Sequence, residues 1–452
     1  MDEDRFVSRI LAIVRQNVAA SSARVILLIF ACLVVAGTSL LMLPFASVGE
    51  GSASLLDALF TATSAVCVTG LVVQDTASFW TPFGHAVILL LIQVGGLGVL
   101  TSVFFMRKIA GAGRSIARRN VVREAIAAPQ IGGIDKLTQF IIRWVIAFEA
   151  IGAVLVAPVF IAEYGLSGIP RAVFHSISAF CNAGFDVLGG HGEFTSLMHY
   201  RTNAYLLLVT SALIVIGGIG FLTWDDFCSH GLRWKRYSLQ TKLVLSGTAV
   251  LLAVPFAFFA LGEFADLPLA DRLLTSLFAT VSPRTAGFAA LDYAEMSEGG
   301  RLLTIMLMLV GGAPGSTAGG VKVTTLMVVL ATAGAVMKRH KETTAFRRTI
   351  DQQTTQKALG FVVVYVMLLL IGAIAMSSME HIAVLDAMFE CASALATVGL
   401  TTGITPTLGP ASKLLLVGYM YFGRIGGMTM AYALARPNGR QGRFPSEPVN
   451  VG

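Results

Sequence analysis

Charge is scarce in this sequence. Asp, Glu, Lys and Arg make up 13% of its 452 residues, hydrophobic residues make up 55%, and mean hydropathy is +0.75. Such a length would ordinarily fill two to four soluble domains, but soluble domains this apolar would expose aggregating patches. Cysteine carries no framework either. Cys32, Cys67, Cys181, Cys228 and Cys391 form no CxxC pair and no metal-ligand spacing, which leaves out a disulfide scaffold or a zinc site. The seven histidines stand in no HExxH-like frame. An aspartyl-phosphate loop, a nucleotide fold and paired intramembrane carboxylates are missing too, and the basic loops are too short for a catalytic domain. Together these absences argue against the alternative of a membrane-bound enzyme or an ATP-driven pump.

Long apolar runs are present instead: Val25–Pro44, Phe83–Met106, Ala204–Leu222, Leu302–Val310 continuing past a glycine-rich stretch, Phe361–Met376 and Leu414–Ala433. About 20 such residues cross the hydrocarbon of a bilayer as a helix, so the chain belongs to the membrane class. Arg5, Arg9, Arg15 and Arg24 precede a run too long for a signal-peptide core, with no small-residue cleavage site after it. A first span with a cytoplasmic N-terminus is expected.

A net charge of +7 could suggest nucleic acid, but the placement of the charges argues against it. Lys and Arg gather in the N-terminal arm, Arg107–Arg143, Arg233–Lys242, Lys322–Lys357 and the tail, whereas Asp57, Asp75, Asp186, Glu263, Asp292, Glu380 and Glu390 fall in the segments between. Alternating basic and acidic loops fit the positive-inside rule, with basic loops and both termini cytoplasmic. An acidic outer face also raises the local cation concentration.

The strongest signal is a repeat of about 110 residues. ALFTATSAVCVTGL (58–71), AVFHSISAFCNAGF (172–185), SLFATVSPRTAGF (276–288) and AMFECASALATVGL (387–400) align in one register. Each has Phe followed four residues later by Ser (Phe60/Ser64, Phe174/Ser178, Phe278/Ser282, Phe389/Ser393), then a lone glycine, Gly70, Gly184, Gly287 or Gly399. Each copy is flanked by apolar spans, and its own amphipathic segment is too short to cross. That is the signature of a re-entrant pore helix. Close helix packing alone would also use glycine, but it predicts small-xxx-small spacing rather than one glycine at one register. Four such hairpins would surround a single axis. The glycines close triplets: Val68-Thr69-Gly70, Asn182-Ala183-Gly184, Thr285-Ala286-Gly287 and Thr397-Val398-Gly399. Thr397-Val398-Gly399 matches the start of the potassium-channel filter TVGYG, whose backbone carbonyls replace an ion's hydration shell.

In the second spans further glycines cluster, at Gly95-Gly96-Leu97-Gly98, Gly217-Gly218-Ile219-Gly220 and Gly423-Arg424-Ile425-Gly426-Gly427. The third span is different. Gly311-Gly312-Ala313-Pro314-Gly315-Ser316-Thr317-Ala318-Gly319-Gly320 cannot continue as a helix. It also fails as a phosphate loop, with one residue too many before Lys322 and membrane spans on both sides. Arg424 is an intramembrane charge, a functional candidate by default. Asp57 and Asp386 read as acids capping the pore helices in preference to ion ligands. Arg284 reads as a structural cation behind the filter, pairing with Asp292 or another outer acid. Lys322 reads as a cytoplasmic-boundary residue. Because every repeat begins on the basic side, a channel-like pore is expected over a secondary transporter with inverted repeats.

Over Val25 to about Ala435, these features together resemble the Trk/Ktr/HKT superfamily of cation transporters, and look most like the membrane subunit of bacterial Ktr systems (KtrB type). The resemblance implies an all-α polytopic protein. Eight transmembrane helices would form four M1–pore-helix–M2 repeats with pseudo-fourfold symmetry around a central K+-channel-like pore. The expected divisions are a cytoplasmic arm (1–24), repeat 1 (25–106), a cytoplasmic helix and linker (107–137), repeat 2 (138–232), repeat 3 with its intramembrane loop 311–320 (233–340), repeat 4 (341–435) and a cytoplasmic tail (436–452). The implied function is K+ uptake across the bacterial plasma membrane, with K+ held by the filter carbonyls and the loop Gly311–Gly320 acting as a gate latched by Arg424. All four filter glycines go with K+ preference in that family, and a serine in the first copy with Na+. The resemblance also implies a homodimer on a soluble nucleotide-binding ring (KtrA type), so that ATP or ADP acts only through the partner. The chain itself would carry no cofactor, with Na+ dependence left open. Lys338-Arg339-His340-Lys341 could meet an acidic partner or anionic lipid.

Overall fold

The computed structural model describes residues 22–49, 51–98 and 134–426. The expected arm, most of the 107–137 linker and the tail lie outside these residues. Four times along the chain a long apolar helix is followed by a short helix, an extended stretch and a second helix. The long helices are α1 (Ser22–Leu41), α4 (Ile134–Tyr164), α8 (Leu239–Phe258, prolonged by a π turn to Glu263) and α12 (Gln352–Glu380). The short ones are α2 (Leu55–Cys67), α5 (Gly168–Cys181), α9 (Leu269–Val281) and α13 (Val384–Ala396). The second helices are α3 (Pro82–Gly96), α6 (Ala204–Ile219) leading into α7 (Phe221–His230), α10 (Glu298–Leu309) leading through a loop into α11 (Val323–Met337), and α14 (Pro410–Ile425).

Among the described residues, four helices are long and apolar enough to cross a membrane, and α6 with α7 makes a fifth if they are one span bent by 91° at Gly220. Eight spans were expected. The remaining second helices are shorter here: α3 and α14 stand at the edges of the described stretches, and the glycine-rich loop divides α10 from α11. The long helices turn apolar side chains outward. Ile146 and Val154 on α4 are 60% and 71% exposed, and Val363 and Ile374 on α12 are 59% and 62% exposed. Side chains of that kind, spread along helices of this length, suit lipid and not water.

The short helices lie inside. Phe60, Phe174, Phe278 and Phe389 are all buried. Phe174 packs in a core between the first and second repeats, Phe278 between the second and third, and Phe389 and Phe60 in a core that joins the third and fourth repeats to the first. The repeated phenylalanine is therefore an inter-repeat packing residue. The second helices approach through glycine, as small-residue contacts in membranes do. A Cβ on Gly95, Gly217 or Gly423 would fall against the carbonyl oxygen of Val66, Phe180 or Leu395, in the last turn of α2, α5 and α13.

Candidate functional site

The residue after each of α2, α5 and α13 leaves the helix in the left-handed conformation: Val68 at φ 57°, Asn182 at 58° and Thr397 at 53°. After α9 the matching residue, Thr285, has φ 68°. Left-handed geometry is rare for residues with a Cβ and a true outlier for β-branched ones. Its recurrence at one register in four copies is thus a constraint on the whole site, and strain of this kind gathers at functional sites. Two residues on, Gly70, Gly184, Gly287 and Gly399 again have positive φ, at 91°, 68°, 80° and 98°. The middle residues Thr69, Ala183, Ala286 and Val398 are not among the positive-φ residues.

Helix-end hydrogen bonds impose this path. Val68 N donates to Ala65 O and Thr69 N to Ser64 O; Asn182 and Ala183 repeat the pattern on Ala179 and Ser178, and Thr397 and Val398 on Ala394 and Ser393. In the third copy Ala286 N and Gly287 N both reach Ser282 O. The serine side chains finish the job in two ways. Ser64 and Ser393 Oγ accept from Gly70 N and Gly399 N at 3.0 Å, whereas Ser178 Oγ donates to Phe185 O at 2.6 Å and Ser282 Oγ to Phe288 O. The repeated Phe-xxx-Ser thus joins a packing residue to a residue that ties down the triplet backbone.

The four triplets meet. A Cβ on Gly70 would strike the Ala183 carbonyl oxygen, one on Gly184 the Ala286 oxygen, one on Gly287 the Val398 oxygen and one on Gly399 the Thr69 oxygen. Each glycine thus faces the middle carbonyl of the next copy, and the series closes on itself. Three hydroxyls of the triplets, on Thr69, Thr285 and Thr397, are buried without a hydrogen-bond partner in the protein.

Directly beneath, residues 311–322 form a loop fastened by backbone hydrogen bonds, by its own side chains and by Arg424. Its two ends pair as Val310 with Val321, and Gly311 N donates to Val321 O at 2.9 Å. Ala313 N bonds Gly218 O and Phe221 N bonds Gly315 O, which fastens the loop to the bend between α6 and α7. Thr317 Oγ1 donates to Phe180 O at 3.1 Å, and Ser316 Oγ to Ala313 O at 2.7 Å. Gly311 and Gly319 lie so close to Thr285 and Thr397 that a Cβ on either would meet those side chains. Pro314, Ala318 and Gly320 complete the stretch, with Gly315 and Gly320 at positive φ.

Arg424, near the end of α14, donates from Nη1 to Thr317 O and from Nη2 to Gly95 O at 2.6 Å and Gly96 O at 3.0 Å. One guanidinium therefore joins the loop to the second helix of the first repeat, a task suited to its fixed fork of donors. Lys322 does not mark a boundary. Its Nζ turns back onto the loop, donating to Ala318 O at 2.6 Å and Gly319 O at 3.4 Å.

Other expected roles change as well. Among the described ion pairs Arg284 has none with Asp292. It is 8% exposed, its Nε lacks a partner, and it lines a small cavity with Gly218, Thr248 and Gly312. The cap of α2 is Ser54, accepting from Asp57 N, while Asp57 itself accepts from Gln74. Asp386 pairs with Arg301 at 2.8 Å. Glu390 is a buried anchor, not an outer-face acid: it accepts from Thr401 Oγ1 at 2.6 Å and Thr402 N at 3.0 Å, fixing the loop after Gly399. Sequence reasoning passed over Glu149, buried on α4, which accepts from Gln93 Nε2 at 3.2 Å. A lone carboxylate inside an apolar run was its one available signal.

Lipid-facing long helices around buried short helices and a closed set of backbone triplets define a helical membrane protein. A profile for the family described as "TrkH: Cation transport protein" matches residues 14–441, and the chain belongs to that family. It is 41% identical over 436 residues to the potassium/sodium uptake protein NtpJ of Enterococcus hirae, covering 94% of this chain and 95% of that one. To the Ktr system potassium uptake protein B of Bacillus subtilis it is 38% identical over 426 residues, covering 93% and 94%. Among solved structures, the potassium transporter TrkH of Vibrio parahaemolyticus shares the fold, with a TM-score of 0.72 at 20% identity, over 90% of this chain and 83% of that one.

Proposed function

We propose that this protein is the ion-translocating subunit of a Ktr-type potassium uptake system in the bacterial plasma membrane, with both termini cytoplasmic. Four M1–pore-helix–M2 repeats, eight spans in all, would stand with pseudo-fourfold symmetry around one pore. The observation that carries this reading is the closed series of triplets. Positive φ at the first and third positions, with a middle residue outside that region, is a backbone alternation that would turn successive carbonyls toward one side, as a dehydrated cation requires. The unpartnered hydroxyls of Thr285 and Thr397 suit the inner end of the same path. K+ is the cargo. The chain holds no cofactor of its own, and ATP or ADP acts through a soluble KtrA-type ring on which a homodimer sits. Basic residues such as Lys338 and Lys341 would face that ring or anionic lipid.

Gly311–Gly320 is the gate in this reading and Arg424 its latch. Thr317 and Gly319 stand under the triplets, and Arg424 ties Thr317 to Gly95 and Gly96. A fixed guanidinium there also repels a cation until the loop moves.

K+-uptake rescue in transport-deficient cells, with and without the partner subunit, tests the reading. The wild-type chain should restore growth at limiting K+, and Gly70→Ser, whose Cβ strikes Ala183 O, should lower K+ over Na+ discrimination. No rescue by a properly inserted chain with its partner would overturn it. A second reading, a K+/Na+ non-selective or Na+-coupled transporter, is favoured by the similarity to the potassium/sodium uptake protein of Enterococcus hirae. Flux in proteoliposomes with K+, Rb+ and Na+ separates the two.

A further inference from the structure

Three side chains of the second repeat converge away from the pore. Glu163 stands at the end of α4, His191 in the loop that leaves Gly184, and His199 in the short turn Met198–Tyr200. One ligand atom of each lies within 4.8 Å of the others. The two imidazoles are stacked, with centroids 3.6 Å apart and planes 7° from parallel. His191 Nε2 meets Glu163 Oε1, and His199 Nε2 stands 3.9 Å from that same oxygen. Tyr200 OH donates to the other oxygen, Oε2, and so orients the carboxylate from behind.

An ordinary ion pair accounts for His191 and Glu163. The second ring, stacked on the first, adds a further nitrogen on the same side of that carboxylate oxygen, so that three ligand atoms from three separate segments gather within 4.8 Å. Neutral imidazoles bring two lone pairs and the carboxylate a third, and a divalent ion among them satisfies all three. We infer that Glu163, His191 and His199 form a binding site for a first-row transition-metal dication of the Zn2+ type. Two imidazoles and one carboxylate suit Zn2+, Ni2+ or Cu2+, whereas Mg2+ and Ca2+ prefer all-oxygen shells. As stacked, the two rings send their lone pairs along parallel planes. Binding therefore requires the exposed His199 ring to rotate until both nitrogens and the carboxylate reach one ion at about 2.0–2.2 Å, with a fourth position open to water. Solvent reaches the site, since the side chains of His191, Glu163 and His199 are 29%, 24% and 49% exposed.

The position gives such an ion leverage. Tyr164 OH already bonds Gly189 O at 3.1 Å, and Arg171 Nε bonds Val187 O at 3.3 Å, so α4 and α5 hold the segment just after the second triplet. The same loop reaches the first and third repeats through Phe194 N on Asp75 and Leu197 N on Ala289 O. A bound ion clamps this loop to the end of α4.

The test uses the full chain in detergent without a polyhistidine tag, titrated with Zn2+ alone by calorimetry, with thermal unfolding followed in parallel. The expected result is one saturable Zn2+ per chain, a raised Tm, and d–d absorption bands when Co2+ replaces Zn2+. His199→Asn, at the most exposed of the three, should weaken Zn2+ binding at least tenfold and abolish the Tm rise. His340→Asn, on an exposed loop elsewhere, should leave both unchanged. Glu163→Gln serves as the second variant, with circular dichroism showing that each is folded. No saturable binding by the wild-type chain, or equal binding by folded His199→Asn, would overturn the assignment.

Discussion

The ring of triplets and the loop beneath it both depend on glycine, but they are secured in opposite ways. At Gly70 and Gly399 the backbone N–H is fixed by a serine six residues earlier, and the path into the glycine is fixed by hydrogen bonds to the end of its own helix. Every copy carries its own support. The loop has internal bonds from Ser316 and Lys322 and between its paired ends, but its attachment to the other repeats is through distant contacts. Thr317 leans on Phe180, Ala313 on Gly218, and Thr317 O on Arg424, over separations of about a hundred residues. Local, repeated support makes a rigid element, and distant, single contacts make one whose opening needs only a few bonds to break. If the proposed function holds, the rigid element selects and the lightly held one gates.

The largest effect should come from breaking the ring. Gly399→Ala places a Cβ on the Thr69 carbonyl oxygen at a backbone of φ 98°. K+ uptake should fall by roughly two orders of magnitude, about 2.7 kcal/mol of barrier, as read by Rb+ uptake in proteoliposomes. Uptake within a factor of two of wild type would show that the ring is not the conducting element.

Second comes the latch. Arg424→Ala removes three hydrogen bonds to Thr317, Gly95 and Gly96. Cation flux should rise by about tenfold, and Arg424→Lys should lie between, since an ammonium lacks the fork. Unchanged or lower flux in properly inserted protein removes Arg424 from gating.

A smaller pair of changes sharpens the contrast within the ring itself. Ser393→Ala leaves Gly399 N–H buried without its acceptor, whereas Ser178→Ala leaves Phe185 O, which keeps a second lone pair. An orphaned N–H costs about 1–3 kcal/mol and is tolerated less well than an under-satisfied carbonyl. Ser393→Ala should therefore lower Tm more than Ser178→Ala. Equal shifts would mean that the serines only fill space.

These differences also explain what the sequence made legible. The triplets were readable because their constraints fall within about ten residues: phenylalanine for packing, serine for the backbone, glycine for the turn. The broken third span was readable from Pro314 and its glycines. The contacts that hold the loop were not, because nothing near Thr317 announces Phe180, and nothing near Lys322 announces that its amine folds back onto Ala318. Arg284 was expected to pair with Asp292 by charge alone, yet a few residues of sequence separation say nothing of direction. Glu390 looked like an outer acid until α13 placed it inward against Thr401 and Thr402. His191, His199 and Glu163 share no motif spacing, and only the fold brings them together.

The mildest test isolates the loop's side-chain support from its latch. Thr317→Val keeps the shape of a fully buried residue and the carbonyl that Arg424 holds, and deletes only the hydroxyl bond to Phe180 O. One such bond contributes about 0.5–1.5 kcal/mol. If loop opening limits flux, that loss favours the open loop by roughly two- to tenfold, so flux should rise in the direction of Arg424→Ala but by less. The double variant should then exceed Arg424→Ala alone, because the two bonds tie the same residue to different repeats. A Thr317→Val flux below wild type would instead mean that the hydroxyl serves the passing ion, and would move Thr317 from the gate to the conduction path.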